Sequence, residues 1–312
     1  MGPILAALAP IILLIGLGHL IRSRRWVDEA FWPGSERLTY VLFFPALLFT
    51  SLANARLDGV PVGRLAMVHG GTLLAMAAAA VLASSWLIRP WSRLDGPGFT
   101  SLFQCILRPN SYVALGVAAG VWGTEGIALI AVCLAVVVPL VNLLSVLVML
   151  RWARPERFRW RAAIVPVVTN PLILSSLLGI AVNLAGLRLP VPAQSFLMIL
   201  GSASLPLGLL AVGAGLPLGS VKTAGPPVLL SLVLKGLVLP LMVWQAGTLA
   251  GLTGVPLAVS VAYAALPPAP TSYVLARQMG GDAPLVAAML SVQTLAAAVV
   301  LPLWIMLVSG GF

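Results

Sequence analysis

Arg108-Pro109-Asn110-Ser111-Tyr112-Val113 returns, little changed, as Ala269-Pro270-Thr271-Ser272-Tyr273-Val274, 161 residues further along the chain. Each copy stands in the middle of an apolar segment, and roughly 20 apolar residues suffice to cross a hydrocarbon core. Proline inside a helix removes one backbone hydrogen bond and clashes with the preceding turn, so each segment is read as broken at its proline. In lipid the freed carbonyls survive only against protein or a wet cavity. A break at the same place in each of two halves is the sequence sign of a membrane carrier, whose broken helices hold a solute near the midplane.

Composition agrees with the membrane. Hydrophobic residues make up 60% of the 312 and charged residues 8%. The net charge of +10 sits in short loops between apolar segments, which is the pattern of membrane topology and not of a nucleic-acid partner. Cys105 and Cys133 lie inside apolar segments; they imply neither a disulfide framework nor a metal site, and no cofactor is expected. The first apolar run, residues 3–21, has no preceding positive charge, and Arg22, Arg24 and Arg25 follow it. That is an uncleaved first span with its N-terminus outside.

Ten candidate spans emerge, near residues 3–21, 38–54, 65–88, 97–120, 124–150, 162–186, 193–216, 226–250, 256–279 and 283–308. With the N-terminus outside, the inner loops carry 13 Lys and Arg residues and the outer loops only Arg56, Arg64 and Arg188. This bias puts both termini outside a plasma membrane. Ten spans divide into five and five, and an odd number per half forces opposite orientations. The expected fold is therefore all-α and integral to the membrane, with two inverted five-helix repeats, 1–155 and 156–312, in one membrane domain. At the same 161-residue offset Pro10 meets Pro171, Pro45 meets Pro206 and Pro109 meets Pro270. Residues 9–18 (APIILLIGLG) and 170–179 (NPLILSSLLG) share five of ten positions, ending in Gly18 and Gly179.

The breaks nominate the site. Pro267, Pro268 and Pro270 fall within four residues, so no helix can run continuously across Leu266–Thr271. Asn110 and Ser111 follow the first break, Thr271 and Ser272 the second. They begin new half-helices, where side chains cap free N–H groups and the positive dipole end suits an anion. Asn110 is the strongest ligand contact, because its amide both donates and accepts. Arg108 and Lys235 are the only charges well inside segments, each costing about 2.5–3.5 kcal/mol unless paired or solvated. For Lys235, snorkelling or a bond to broken-helix carbonyls competes equally with a functional role. No acid lies deep in a segment, which favours an anionic solute. Asn142, beside Pro139, and His69, able to titrate, complete the candidates.

Five stretches resemble the auxin efflux carrier family: FPALLFTSLANA (44–55), RPNSYVAL (108–115), PLVNLLSVLVM (139–149), NPLILSSLLGI (170–180) and PTSYVLARQMGGD (270–282). The chain looks like a bacterial-length member without a long central loop. The resemblance implies a fold like that of the bile-acid/sodium symporters. Segments 1, 2, 6 and 7 would form a scaffold, and 3–5 and 8–10 a moving domain with crossed, broken helices 4 and 9. It implies elevator-type alternating access with an organic anion at the crossover. The family's asparagines match Asn110 and Asn142, while its second proline pair matches Pro268 and Pro270 approximately. Plant members carry an acidic/lysine pair in segment 3, where this chain has His69, Gly70, Gly71 and Thr72, which puts a proton-linked role there in question.

The expected activity is secondary transport of small organic anions, carboxylates such as malonate or malate or an auxin-like acid, across a bacterial inner membrane. Substrate-binding candidates are Asn110, Ser111, Asn142, Pro270, Thr271 and Ser272, supported by Arg108, Lys235, Pro109 and Pro268, with His69 for coupling. The expected partners are the anion and the lipid bilayer, with a homodimer as one assembly. A transporter-like sensor or an anion channel is the alternative. No nucleophile or metal cluster suggests an enzyme.

Overall fold

The computed structural model describes residues 2–54, 61–88, 94–153, 169, 171–216 and 225–310. The boundary between the two expected halves, Asn170, and the basic residues Arg56, Arg89, Arg93, Arg154, Arg157, Arg159, Arg161 and Lys222 lie outside these residues.

Among the described residues the chain is all helix. The elements are α1 (Gly2–Ser23), α2 (Phe31–Leu38), α3 (Phe44–Ala53), α4 (Val62–Leu82), α5 (Ser84–Leu87), α6 (Gly96–Leu107), α7 (Ser111–Trp152) and α8 (Pro171–Leu184). They continue with α9 (Val191–Ser202), α10 (Ser204–Ala214), α11 (Pro226–Val233), α12 (Leu239–Leu249), α13 (Gly254–Ala264), α14 (Thr271–Met279) and α15 (Ala283–Val308). A π-helical turn joins α2 to α3 at Thr39–Phe43, and another joins α11 to α12 at Leu234–Val238. Seven helical stretches are long and apolar enough to cross a membrane.

Two boundaries differ from the sequence reading. The second apolar segment starts at Phe31, not near residue 38. Glu36 and Arg37 look like loop charges, but α2 is amphipathic: it buries Trp32 and Ser35 and turns Arg37 outward. The expected division between segments 4 and 5 is sharper than a loop. Helical bonding runs from Ser111 to Trp152, and Gly123 alone turns the chain, at φ 59° and ψ −140°. A side chain is strained at such a φ, and glycine is not.

The packing forms two groups. In one, α1 lies against α10, and α3 against α8 and α9. In the other, α4, α6 and α13 lie against α7, α12 against α4 and α13, and α15 against α6, α11, α13 and α14. The groups meet where α1, α3, α8 and α10 touch α7, and where α1 touches α15. Lipid tails are as apolar as leucine, so association between membrane helices relies on close backbone approach at small residues. At the α1–α10 crossing a β-carbon on Gly18 would overlap the Leu210 carbonyl, and one on Gly213 would overlap the Ile15 carbonyl. At the α3–α8 crossing a β-carbon on Gly179 would come within 2.8 Å of the Phe49 carbonyl. Asn183 Nδ2 also donates there to the Leu52 and Ala53 carbonyls, both at 3.0 Å. Gly18 with Leu210, and Phe49 with Gly179, are one contact with the halves exchanged, since 161 residues separate Gly18 from Gly179 and Phe49 from Leu210.

The end of α1 is tied to the end of α10. Arg22 Nη1 donates to the Ala214 carbonyl at 2.7 Å, while its Nε and Nη2 reach the Glu29 carboxylate at 3.1 and 2.9 Å. Read from sequence only as a topology charge, Arg22 also satisfies one of the free carbonyls at a helix C-terminus, where a cation is favoured.

Candidate functional site

Both breaks stand where the prolines put them. α6 stops at Leu107, Arg108 and Asn110 have extended backbone (φ −82°, ψ 110° and φ −79°, ψ 107°), and α7 starts at Ser111. α13 stops at Ala264 and α14 starts at Thr271. The two extended stretches lie antiparallel against each other, Pro109 opposite Pro268. The Asn110 N–H donates to the Pro267 carbonyl at 2.8 Å. The starts of α7 and α14 therefore flank one crossing point.

Asn110 has two jobs there. Its Oδ1 accepts from the Tyr112 and Val113 N–H groups at 3.0 and 3.2 Å and caps α7. Its Nδ2, on a side chain in a residue only 1% exposed, has no partner among the described residues. A buried amide donor left unpaired costs about 1–3 kcal/mol.

The other end is built differently from the sequence expectation. Thr271 does not cap: the capping position belongs to Pro270, which has no side-chain oxygen, and Thr271 is already helical and exposed. Ser272 is fully buried with its Oγ unpartnered, so it is the better polar contact on that side. Ser111 and Pro270 are half-buried. Arg108 is half-buried too, with its Nε and Nη2 buried and unpartnered.

Among the cavities that border the crossing, two lie beside the candidate residues. The larger, about 220 Å³, lies between α1, α7 and α15; Ile11, Ile15, Val113, Val117 and Leu301 line it, and Pro267 of the second break closes one end. Its polar lining comes from His19 and Thr294, whose Oγ1 is buried and unpartnered. The smaller, about 20 Å³, lies against the first break, between Pro109, Leu107, His69, Tyr263 and Lys235. It holds a group the size of one water molecule.

Similarity to known proteins agrees with this architecture. The sequence profile of a family described as membrane transport protein matches residues 156–305. An uncharacterized transporter of Methanothermobacter thermautotrophicus is 26% identical over 296 residues, 94% of this chain and 95% of the relative. Both similarities support membership of a membrane transport family, one over the second half of the chain and the other over nearly all of it. The five motifs resemble the auxin efflux carrier family.

The remaining candidates fall unevenly. Lys235 is 2% exposed, so it does not snorkel. No bond from it to a broken-helix carbonyl is found among the described residues, where the one ion pair is Arg22–Glu29. His69, 4% exposed, stacks edge-on against Tyr263 at 5.3 Å, with its Nε2 unpartnered. Asn142 is half-buried on α7, more than a turn beyond Val137, which lines the smaller cavity. Like Asn110 and Ser272, it is absent from the linings of both cavities. Sequence reasoning missed the stack of Tyr112 on Phe44, ring centroids 4.8 Å apart at 10°, which fixes the start of α7 against α3. The only signal for it was a tyrosine in each repeated motif.

Proposed function

We propose that the protein is a secondary transporter of organic carboxylates, with the carboxylate held at the crossing by Asn110 Nδ2, Ser272 and the two half-helix N-termini. The observation that carries this reading is the buried, unpartnered Asn110 amide donor at the crossing, where the adjoining Pro109 and the facing Pro267 line the smaller and the larger cavity. Arg108 supplies positive charge near it, and among the described residues no carboxylate lines either cavity. The larger cavity has an almost wholly apolar lining. A second carboxylate there would be desolvated without a partner, at high cost. Of the acids expected, the reading therefore favours a monocarboxylate with an apolar body, the auxin-like kind, over malonate or malate.

We further read the fold as ten spans in two inverted five-helix repeats. The support is the pair of breaks and the Gly18–Leu210 and Gly179–Phe49 contacts, which exchange under the same offset. Segments 1, 2, 6 and 7 act as the scaffold, and 3–5 and 8–10 carry the site across the membrane. The two packing groups support this division. The basic loops support a plasma-membrane location with both termini outside.

The test is a thermal-shift panel of malonate, malate and indole-3-acetate on the detergent-solubilised protein, followed by uptake of the best binder into proteoliposomes. A ligand that binds only the folded state raises its apparent stability, by about 2.7 kcal/mol at a hundred times Kd. Indole-3-acetate is expected to give the largest shift, and Asn110→Ala to abolish uptake. Asn142→Ala measures whether the second family asparagine contributes at its distance from the cavities. Unchanged uptake in both variants overturns the site. Binding that is never followed by uptake turns the reading to a sensor.

A further inference from the structure

Lys235 is the unexplained charge of this fold. It sits on the π-helical turn Leu234–Val238, where the helix is locally widened, and it is almost completely buried. It lines the small cavity against the first break, with Pro109. It also lines a second small cavity, about 10 Å³, against the other break, with Pro267 and Gln293. One amine therefore stands beside both halves of the crossing.

The groups facing it are few. α4 brings His69, α13 brings Tyr263, and α6 brings Cys105, with Arg108 just beyond it. From α15 comes Gln293, whose Nε2 donates to Ser231 at 2.9 Å and whose Oε1 is buried and unpartnered. None of these is an anion partner, and among the described residues no carboxylate lines either small cavity. An ammonium in such surroundings lacks the compensation that buried charges need. A carboxylate at the crossing would supply it.

We propose that Lys235 is the coupling site, taking up one proton together with the transported anion. This rests on the carboxylate reading above and goes beyond it by naming the co-transported ion. The amine gains a proton from the aqueous face to which the site is open, as the carboxylate enters from the same face. The ammonium and carboxylate then cross as a neutral pair, and both are released on the other side. Anion and proton each raise the affinity for the other by the same factor, as linkage requires. The unpartnered Gln293 Oε1 belongs to a residue that shares one small cavity with Lys235, and His69, with its unpartnered Nε2, shares the other.

The chain has only two lysines, Lys222 and Lys235, so the charge of this amine can be read directly. In Lys222→Arg protein labelled with [15Nζ]lysine, a single side-chain nitrogen signal remains. Indole-3-acetate and malonate are titrated in at pH 7.5, with thermal shifts recorded on the same samples. The expected result is conversion of the signal to its ammonium form on saturation, with apparent affinity falling about tenfold per pH unit above the transition. Lys235→Arg, whose guanidinium keeps its charge, is expected to bind with that pH dependence gone. A thermal shift without any change in the lysine signal overturns the coupling and leaves the carboxylate site standing. A lysine already charged in the empty protein overturns it likewise. Absence of any thermal shift defeats the carboxylate reading itself, and the coupling with it.

Discussion

Asn110→Asp leaves the protein folded and removes its transport. The substitution separates the two jobs of one side chain. Aspartate is as good a helix cap as asparagine, so an Oδ atom still accepts from the Tyr112 and Val113 N–H groups, and α7 still starts at Ser111. What disappears is the Nδ2 donor, which has no partner among the described residues and which the proposed site gives to the ligand. A carboxylate in its place also repels a carboxylate solute in a poorly solvated site. Loss of a charge-assisted hydrogen bond costs about 1.5–3 kcal/mol, and the repulsion adds to it, so uptake should fall more than a hundredfold. The melting temperature without ligand should stay within a few degrees of the parent. Asn110→Ala loses uptake and about 1 kcal/mol of cap as well. An Asp variant that transports at more than a tenth of the parental rate would show that the free amide does not hold the solute.

Gly213→Leu should prevent the protein from folding to a stable form in detergent. α1 and α10 meet backbone to backbone, and even the first carbon of a side chain at Gly213 would occupy the place of the Ile15 carbonyl. Extra methylenes in a packed interior cost about 1–3 kcal/mol when neighbours can shift. Here the neighbour is main chain inside a helix, so the two helices must separate. The expected observation is a loss of monodisperse protein, or a fall in melting temperature of ten degrees or more. Gly18→Leu should behave alike. Gly16→Leu is the control on the same helix, two residues away, since nothing lies within 4 Å of its Cβ position. Equal behaviour of the Gly16 and Gly213 variants would remove the close crossing from the account of this fold.

The sequence showed the breaks because proline acts locally: its ring and missing N–H stop a helix wherever they occur. The membrane segments were equally plain, being a matter of composition. The start of α2 at Phe31 was hidden because Glu36 and Arg37 carry loop-like charge on a helix that buries only one side. Positions after the breaks were legible, but roles were not. Which of Asn110, Ser111 and Thr271 caps depends on where helical dihedrals begin, and that is decided by the pairing of the two breaks. Lys235 was visible as a costly charge. Its neighbours were not, because they follow from how α11, the π-helical turn and α12 are rotated against α4, α13 and α15.

Four prolines sit in the two paired stretches, Pro109, Pro267, Pro268 and Pro270. Two extended strands lying antiparallel would ordinarily zip together, each N–H meeting a carbonyl of the other. Proline has no N–H to offer, so here the zipper is halted after the bond from Asn110 to Pro267. The prolines thus do more than break helices: they act as insulators between two strand edges, keeping the crossing from closing into a small sheet that would leave no room for a guest.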